Sequence, residues 1–138
     1  LSGSIYFYDF SKEKLFKVNE NNDTLNWIEF NEQSIGELVD QGNIVFVDIT
    51  ADWCVTCKLN KMLVLDNKKT ISLLESQGII LMRGDWTKAD NNISSFLFTW
   101  HRYGIPLNVI YGPKAREGIL LSEILTVDML EKNVLNAR

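Results

Sequence analysis

The apolar run from Ile44 to Ile49 is β-branched or aromatic at every position except Asp48. A strand buried on both faces of a parallel sheet carries that pattern, which makes a carboxylate inside it the anomaly. After Ala51-Asp52-Trp53 the period changes, and Leu59, Met62 and Leu63 fall at i, i+3 and i+4. That spacing predicts a helix from near Cys54 to about Leu65, broken or re-capped by Asp66-Asn67. A second helical piece follows, carrying Ile71, Leu73 and Leu74 up to Gly78.

The same reading extends in both directions. Upstream, Asn31 is a plausible N-cap, Ile35, Leu38 and Val39 give one apolar stripe, and Gly42 is a plausible stop. Downstream, Ile79 to Met82 is the next buried strand, and Gly84-Asp85-Trp86-Thr87 reads as a polar turn at its C-terminal end, where open α/β sheets place their sites. Trp86 therefore either borders a site or packs under the following helix, whose face is Ile93, Phe96, Leu97 and Trp100. Ile105-Pro106 precedes a strand from Leu107 to Tyr111, which places the proline at the strand's first residue or at an edge. Gly112-Pro113-Lys114-Ala115 reads as a hairpin turn, Ile119-Leu120-Leu121 with Glu123-Ile124 as the last strand, and Val127 to Leu135 as a terminal amphipathic helix.

Residues 1–30 differ in composition and are read as an N-terminal extension. Ile5 to Phe10 and Leu15 to Val18 flank a polar Ser11-Lys12-Glu13-Lys14, which suggests a hairpin, and Asn19 to Asn26 is an Asn-rich connector. The hairpin's aromatics are expected to cover a sheet edge or core rather than to bind a ligand. No internal repeat or low-complexity block appears.

At 138 residues and 46% hydrophobic content, the chain is one domain's worth, and such a length buries roughly two thirds of its unfolded surface. Formal charge is −4 with the basic residues scattered in ones and twos, which disfavours nucleic-acid binding. No apolar run approaches the ~20 residues that span a bilayer, and no charged-then-apolar signal opens the chain. A start at Leu1 rather than Met predicts a processed or excised piece of something longer, with any signal or membrane anchor outside the chain.

Both cysteines, Cys54 and Cys57, lie in the first turn of the predicted central helix. That turn carries unpaired backbone N–H groups and the positive end of the helix dipole, and both favour a thiolate. A free thiol with a pKa near 8.5 is only ~3% thiolate at neutral pH, so Cys54 is expected to be the activated sulfur. Cys57, three residues on, shares its helical face and is close enough to close a small disulfide ring. A redox pair is the leading reading. A structural disulfide, a metal clip and two buried thiols are its competitors, and cysteine count alone does not choose a compartment.

The order strand, helix, strand, helix, Gly-Ile-Pro, antiparallel hairpin and closing helix resembles the thioredoxin fold over about residues 31–138. The fold class expected is thus α/β, a central mixed sheet flanked by helices, with an N-terminal extension. Within that superfamily Ala51-Asp52-Trp53-Cys54-Val55-Thr56-Cys57-Lys58, then Asp85-Trp86-Thr87 and Tyr103-Gly104-Ile105-Pro106-Leu107, look most like the C-terminal periplasmic domain of DsbD-type membrane thiol-disulfide interchange proteins.

The resemblance implies a protein-disulfide reductase with no cofactor beyond its redox-active Cys54-Cys57 pair. Cys54 would attack a partner disulfide and Cys57 would release the partner. Asp48 would be the family's buried acid behind the cysteines, exchanging the proton of Cys57, with burial raising its pKa toward the working pH. Pro106 would be the cis-proline that lies against the cysteines and presents the backbone of Ile105 to an extended partner strand. Trp53 and Trp86 are supporting candidates. The implied partners are a membrane-embedded redox domain upstream and a periplasmic redox domain downstream. The location is then a periplasmic domain of an inner-membrane protein.

Lys61 departs from the pattern, standing where a second acid is expected; a cation there would tend to lower a thiol pKa that an acid would hold up. His101, the only histidine, is expected at the surface or in a helix cap. Val55-Thr56 between the cysteines supplies no charge to stabilise the thiolate, which predicts a reducing protein rather than one near the about −120 mV of DsbA. The alternatives are a reductase devoted to one client such as apocytochrome c, a Cu(I) or Zn module using Cys54 and Cys57 as soft ligands, and a non-catalytic scaffold binding through the N-terminal aromatics.

Overall fold

The computed structural model describes residues 4–9, 14–19 and 25–138, with side chains from Leu25 onward. Strands β1 (Ser4–Asp9) and β2 (Lys14–Asn19) pair antiparallel with Phe7 opposite Phe16. The polar connector expected between them and most of the Asn-rich segment lie outside the described residues, as do the side chains of the hairpin's aromatics.

The main sheet has five strands in the order β3-β5-β4-β6-β7. Its centre is β4 (Val45–Thr50), every residue of which is buried. β4 runs parallel to β5 (Ile80–Asp85) and antiparallel to β6 (Leu107–Gly112), which pairs in turn with β7 (Ala115–Leu120). The mixed sheet flanked by helices is the architecture expected. The near-continuous apolar run of β4 is the signature of a strand covered on both sides.

Alternation along β4 sorts the core into two layers. Val45, Val47 and Ile49 point to one face, where α1 (Glu32–Asp40) and α4 (Asn91–Thr99) bring Ile35, Leu38, Val39, Ile93, Phe96 and Leu97. Phe46 points to the other face, against Leu65, Leu74, Leu130 and Val134. These come from the helical segment after Cys54, from α3 (Lys68–Ser76) and from α5 (Val127–Ala137). Asp48, two residues beyond Phe46, belongs to this second face.

Three sequence expectations are corrected. The edge strand β3 (Trp27–Glu29) pairs with β5, although it lies within residues 1–30 that were read as extension; three residues are too few to show an alternation. Gly84 and Asp85 belong to β5 rather than to a turn, because Gly84 lies opposite Ile49. A Cβ added at Gly84 would sit 2.8 Å from the Ile49 side chain. The last strand is Ala115–Leu120 and not Ile119 to Ile124. The tight turn at Pro113-Lys114 lets pairing resume at once, with Gly112 opposite Ala115.

The central helical segment runs over the span expected, to Leu65. α2 (Val55–Asn60) continues into a π-helical turn, Lys61–Leu65, closed by the Asp66 N–H on the Lys61 carbonyl at 2.7 Å. The stripe Leu59, Met62 and Leu63 that predicted the helix faces solvent. Cys57, Asn60, Val64 and Leu65 face inward instead. The segment carries apolar residues on both sides, and the buried disulfide fixes which side turns in.

A candidate redox-active disulfide site

Cys54 is the N-cap of α2, with extended backbone angles, and its Sγ accepts a hydrogen bond from the Cys57 N–H at 3.1 Å. A helix's first turn leaves such N–H groups without a carbonyl partner, so a sulfur placed there takes one of them. Cys54 and Cys57 form a disulfide, their Cα atoms 5.2 Å apart. In this oxidised state they are 5% and 3% exposed, so accessibility alone does not set Cys54 apart. Ala51 and Ile105 pack directly on the pair.

The Ile105-Pro106 bond beside the cysteines is cis, the isomer that the resemblance implies. Pro106 is buried at the entry to β6.

Beneath the helix, the sheet carries a polar row. Asp48 is 3% exposed, and its strand neighbours in register are Arg83 on β5 and Asn108 on β6. Arg83 Nε donates to Asp48 Oδ2 at 2.9 Å and Asn108 Nδ2 donates to Oδ1 at 2.7 Å. The Arg83 guanidinium in turn lies 3.8 Å from the ring centre of Trp27. The sequence reading has Asp48 as a buried acid and names no side-chain partner for it. The structure gives both of its oxygens one, and a buried carboxylate needs such partners. Arg83 and Asn108 were missed, although a lone arginine ending an apolar strand beside a strand with a lone aspartate was a usable signal.

Asn60 is a second missed residue. It is 4% exposed and ties α2 to the loop before α5, donating to the Glu123 carbonyl at 2.7 Å and accepting from the Leu125 N–H at 3.0 Å. The Glu123 carboxylate bonds Arg102 at 2.7 Å, close in sequence to the cis-proline. The cysteine helix and the proline loop are thereby held through one short chain of contacts.

On the outer side, Trp53 is 57% exposed and its Nε1 donates to the Thr87 carbonyl at 3.2 Å. The Asp52 N–H donates to the Thr87 hydroxyl oxygen at 2.9 Å. Thr87 also bonds Asp85 through its N–H at 2.8 Å, and its hydroxyl and N–H are the main causes that hold the Asp85 carboxyl below its usual value, with Lys61 and Arg83 adding to them. Lys61 thus lies within reach of Asp85's charge. The Trp86 ring lies 6.2 Å from Trp53, and its Nε1 donates to Ser94 of α4 at 3.1 Å. His101 is exposed just past the end of α4, with a φ of 55°. Among the described residues, no group of three or more His, Cys, Asp or Glu side chains is placed to hold a metal.

Comparison with known proteins agrees with this geometry. A family model described as thioredoxin-like matches residues 26–113. Over 80 residues the chain is 38% identical to thiol:disulfide interchange protein DsbD 2 of Pseudomonas aeruginosa, a stretch covering 56% of this chain and 13% of that protein. The oxidised DsbD C-terminal domain of Neisseria meningitidis superposes with a TM-score of 0.61 at 15% identity, over 78% of this chain and 92% of that one. Spinach chloroplast thioredoxin f, in its short form, gives a TM-score of 0.53 at 17% identity, over 86% and 98%. At such identities the two superpositions speak for the fold. With its family model matching more than half of it and a disulfide at the head of the helix behind the central strand, the chain belongs to the thioredoxin-like family.

Proposed function

We propose that this chain is the thiol-disulfide exchange domain of a DsbD-type interchange protein, a reductase that relays electrons from a membrane-embedded domain to periplasmic thiol proteins. In its reduced form, the Cys54 thiolate attacks a partner disulfide, a mixed disulfide forms, and one partner thiolate leaves and takes up a proton. Cys57 then gives up its proton and attacks Cys54, closing the Cys54–Cys57 disulfide and releasing the second partner thiol. Two electrons pass from the protein dithiol to the partner. The upstream domain restores the dithiol by the reverse exchange.

The observation that carries this reading is Cys54 as a helix cap. Its sulfur already accepts the Cys57 N–H, and that donor favours the thiolate more than the thiol. Asp48, buried on the sheet face beneath the cysteine helix, is the group assigned to take the proton of Cys57. Ile105 and Pro106 would receive the partner strand beside the sulfurs, and Trp53, Trp86 and Lys61 would border it. The likeness to DsbD 2 supports a periplasmic location within an inner-membrane protein. No helix among the described residues is long and apolar enough to cross a membrane.

Insulin reduction by dithiothreitol, followed with and without the protein, tests the activity. The intact chain should accelerate it and Cys54→Ser should not. Tight stoichiometric metal retained through purification, with no acceleration by the intact chain, would replace this reading by a metal-binding one.

A further inference from the structure

The outward-facing side of the cysteine helix is unusually apolar for a surface. Val55, Met62 and Leu63 are 71%, 64% and 63% exposed, and Leu59 is 41% exposed. Their spacing of i, i+4, i+7 and i+8 lays them along one side of α2 and its π turn. A run of large apolar side chains exposed on one helix side marks an interaction surface more often than single scattered ones do. The charge here is also distinct. In a chain of formal net charge −4, residues 54–69 carry four lysines and a single carboxylate. Lys58 flanks the stripe, Lys61 lies further round the helix, and Lys68 and Lys69 begin α3 just beyond it. Lys58, Lys68 and Lys69 are exposed, and none forms a salt bridge among the described residues.

We infer that this face selects protein partners whose reactive cysteines are flanked by apolar and acidic residues. The inference rests on the exchange reading above and names the substrate class that the site prefers. The stripe starts at Val55, next to the sulfur cap, with Lys58 and Leu59 about one turn further along the helix, so a partner that reaches Cys54 comes to the end of this face. Apolar side chains there lose water on contact, and carboxylates on the partner meet uncompensated lysines. Lys61, standing where the related domains are expected to hold an acid, gives the helix one more cation and so turns the preference toward acidic clients.

The test uses a matched series of short intermolecular peptide disulfides with the same leucine and valine flanks, bearing glutamates, serines or lysines. The reduced protein is mixed with each in excess, and oxidation is followed by tryptophan fluorescence and by mass. At roughly 0.01 M salt, where the Debye length is ~30 Å, the glutamate peptide should react about tenfold faster than the lysine peptide. At roughly 1 M salt, with a Debye length of ~3 Å, the ratio should fall below about twofold. Taking the ratio within each variant cancels any change in thiol reactivity, so Lys58→Glu should abolish or invert the low-salt preference. Met62→Ser should slow all three peptides together.

Equal rates for the three peptides, or a preference for lysines, would overturn the inference while leaving thiol-disulfide exchange intact. Retention of the glutamate preference by Lys58→Glu would overturn the assignment to this face. Co-sedimentation with vesicles of anionic lipid, together with equal peptide rates, would assign the face to a membrane surface instead. Failure of every peptide to oxidise the protein would sink the exchange reading itself.

Discussion

Arg83 and Asp48 stand opposite each other on paired parallel strands, with Nε 2.9 Å from Oδ2, directly in the sheet that the cysteine helix covers. Side-chain exposure is 24% for the arginine and 5% for the aspartate, so the carboxylate is the more deeply buried partner. Removing the cation leaves that charge with Asn108 alone. Arg83→Met should therefore destabilise the protein by about 3 kcal/mol at neutral pH. Urea titration of the two proteins checks this, and an unchanged midpoint would show that the pair adds nothing to stability.

Asn60 fills both hydrogen-bonding roles of its amide inside the protein. Asn60→Ala leaves the Glu123 carbonyl and the Leu125 N–H without that partner, at a cost of about 2 kcal/mol. Because the same loop holds Arg102 near the cis-proline, insulin reduction should slow as well. Asn60→Asp keeps the acceptor and loses the donor, so it should fall between the two in thermal stability. Unchanged melting of Asn60→Ala would refute the tether.

Tyr111 supplies an alkaline prediction. Burial pushes its phenol up to about 12, with Glu32 adding to the rise and a hydrogen bond with Trp100 opposing it. A raised folded value means that the unfolded chain ionises first, near pH 10. Stability tied to this group is full below that pH and is lost as pH climbs from about 10 toward about 12. Tyr111→Phe should flatten that part of the stability curve, and chemical denaturation between those pH values would show it.

Gly112 closes β6 against the C-terminal helix. A Cβ there would sit 2.2 Å from the Ala137 carbonyl oxygen, a backbone atom that cannot rotate away. Gly112→Ala should cost about 1–3 kcal/mol, read as a lowered melting temperature. A variant as stable as the parent would mean that the end of α5 shifts freely.

Much of this was legible in the sequence, and the limits have physical causes. The central strand and the helix after the cysteines announced themselves through a change of period from continuous apolar residues to helical spacing. The tight turn at Pro113-Lys114 followed from its residue types. The rotation of the cysteine helix was not legible, since Leu59, Met62 and Leu63 form as good a stripe as the buried side does. Only the disulfide's place over the sheet decides it. The partners of Asp48 were hidden for another reason: Arg83 and Asn108 are far from it in the chain, and strand order brings them beside it. Asn60 looked like an ordinary polar helix residue until the loop before α5 was placed against it.

The most direct measurement is the alkylation of the fully reduced protein by iodoacetamide as a function of pH, with the modified cysteine identified by mass. Cys54 should react first and at appreciable rate well below about pH 8, where an ordinary thiol is mostly protonated, while Cys57 stays protected until the fold is lost. Two cysteines that react alike, each following an unperturbed thiol, would contradict the claim that the helix cap activates Cys54.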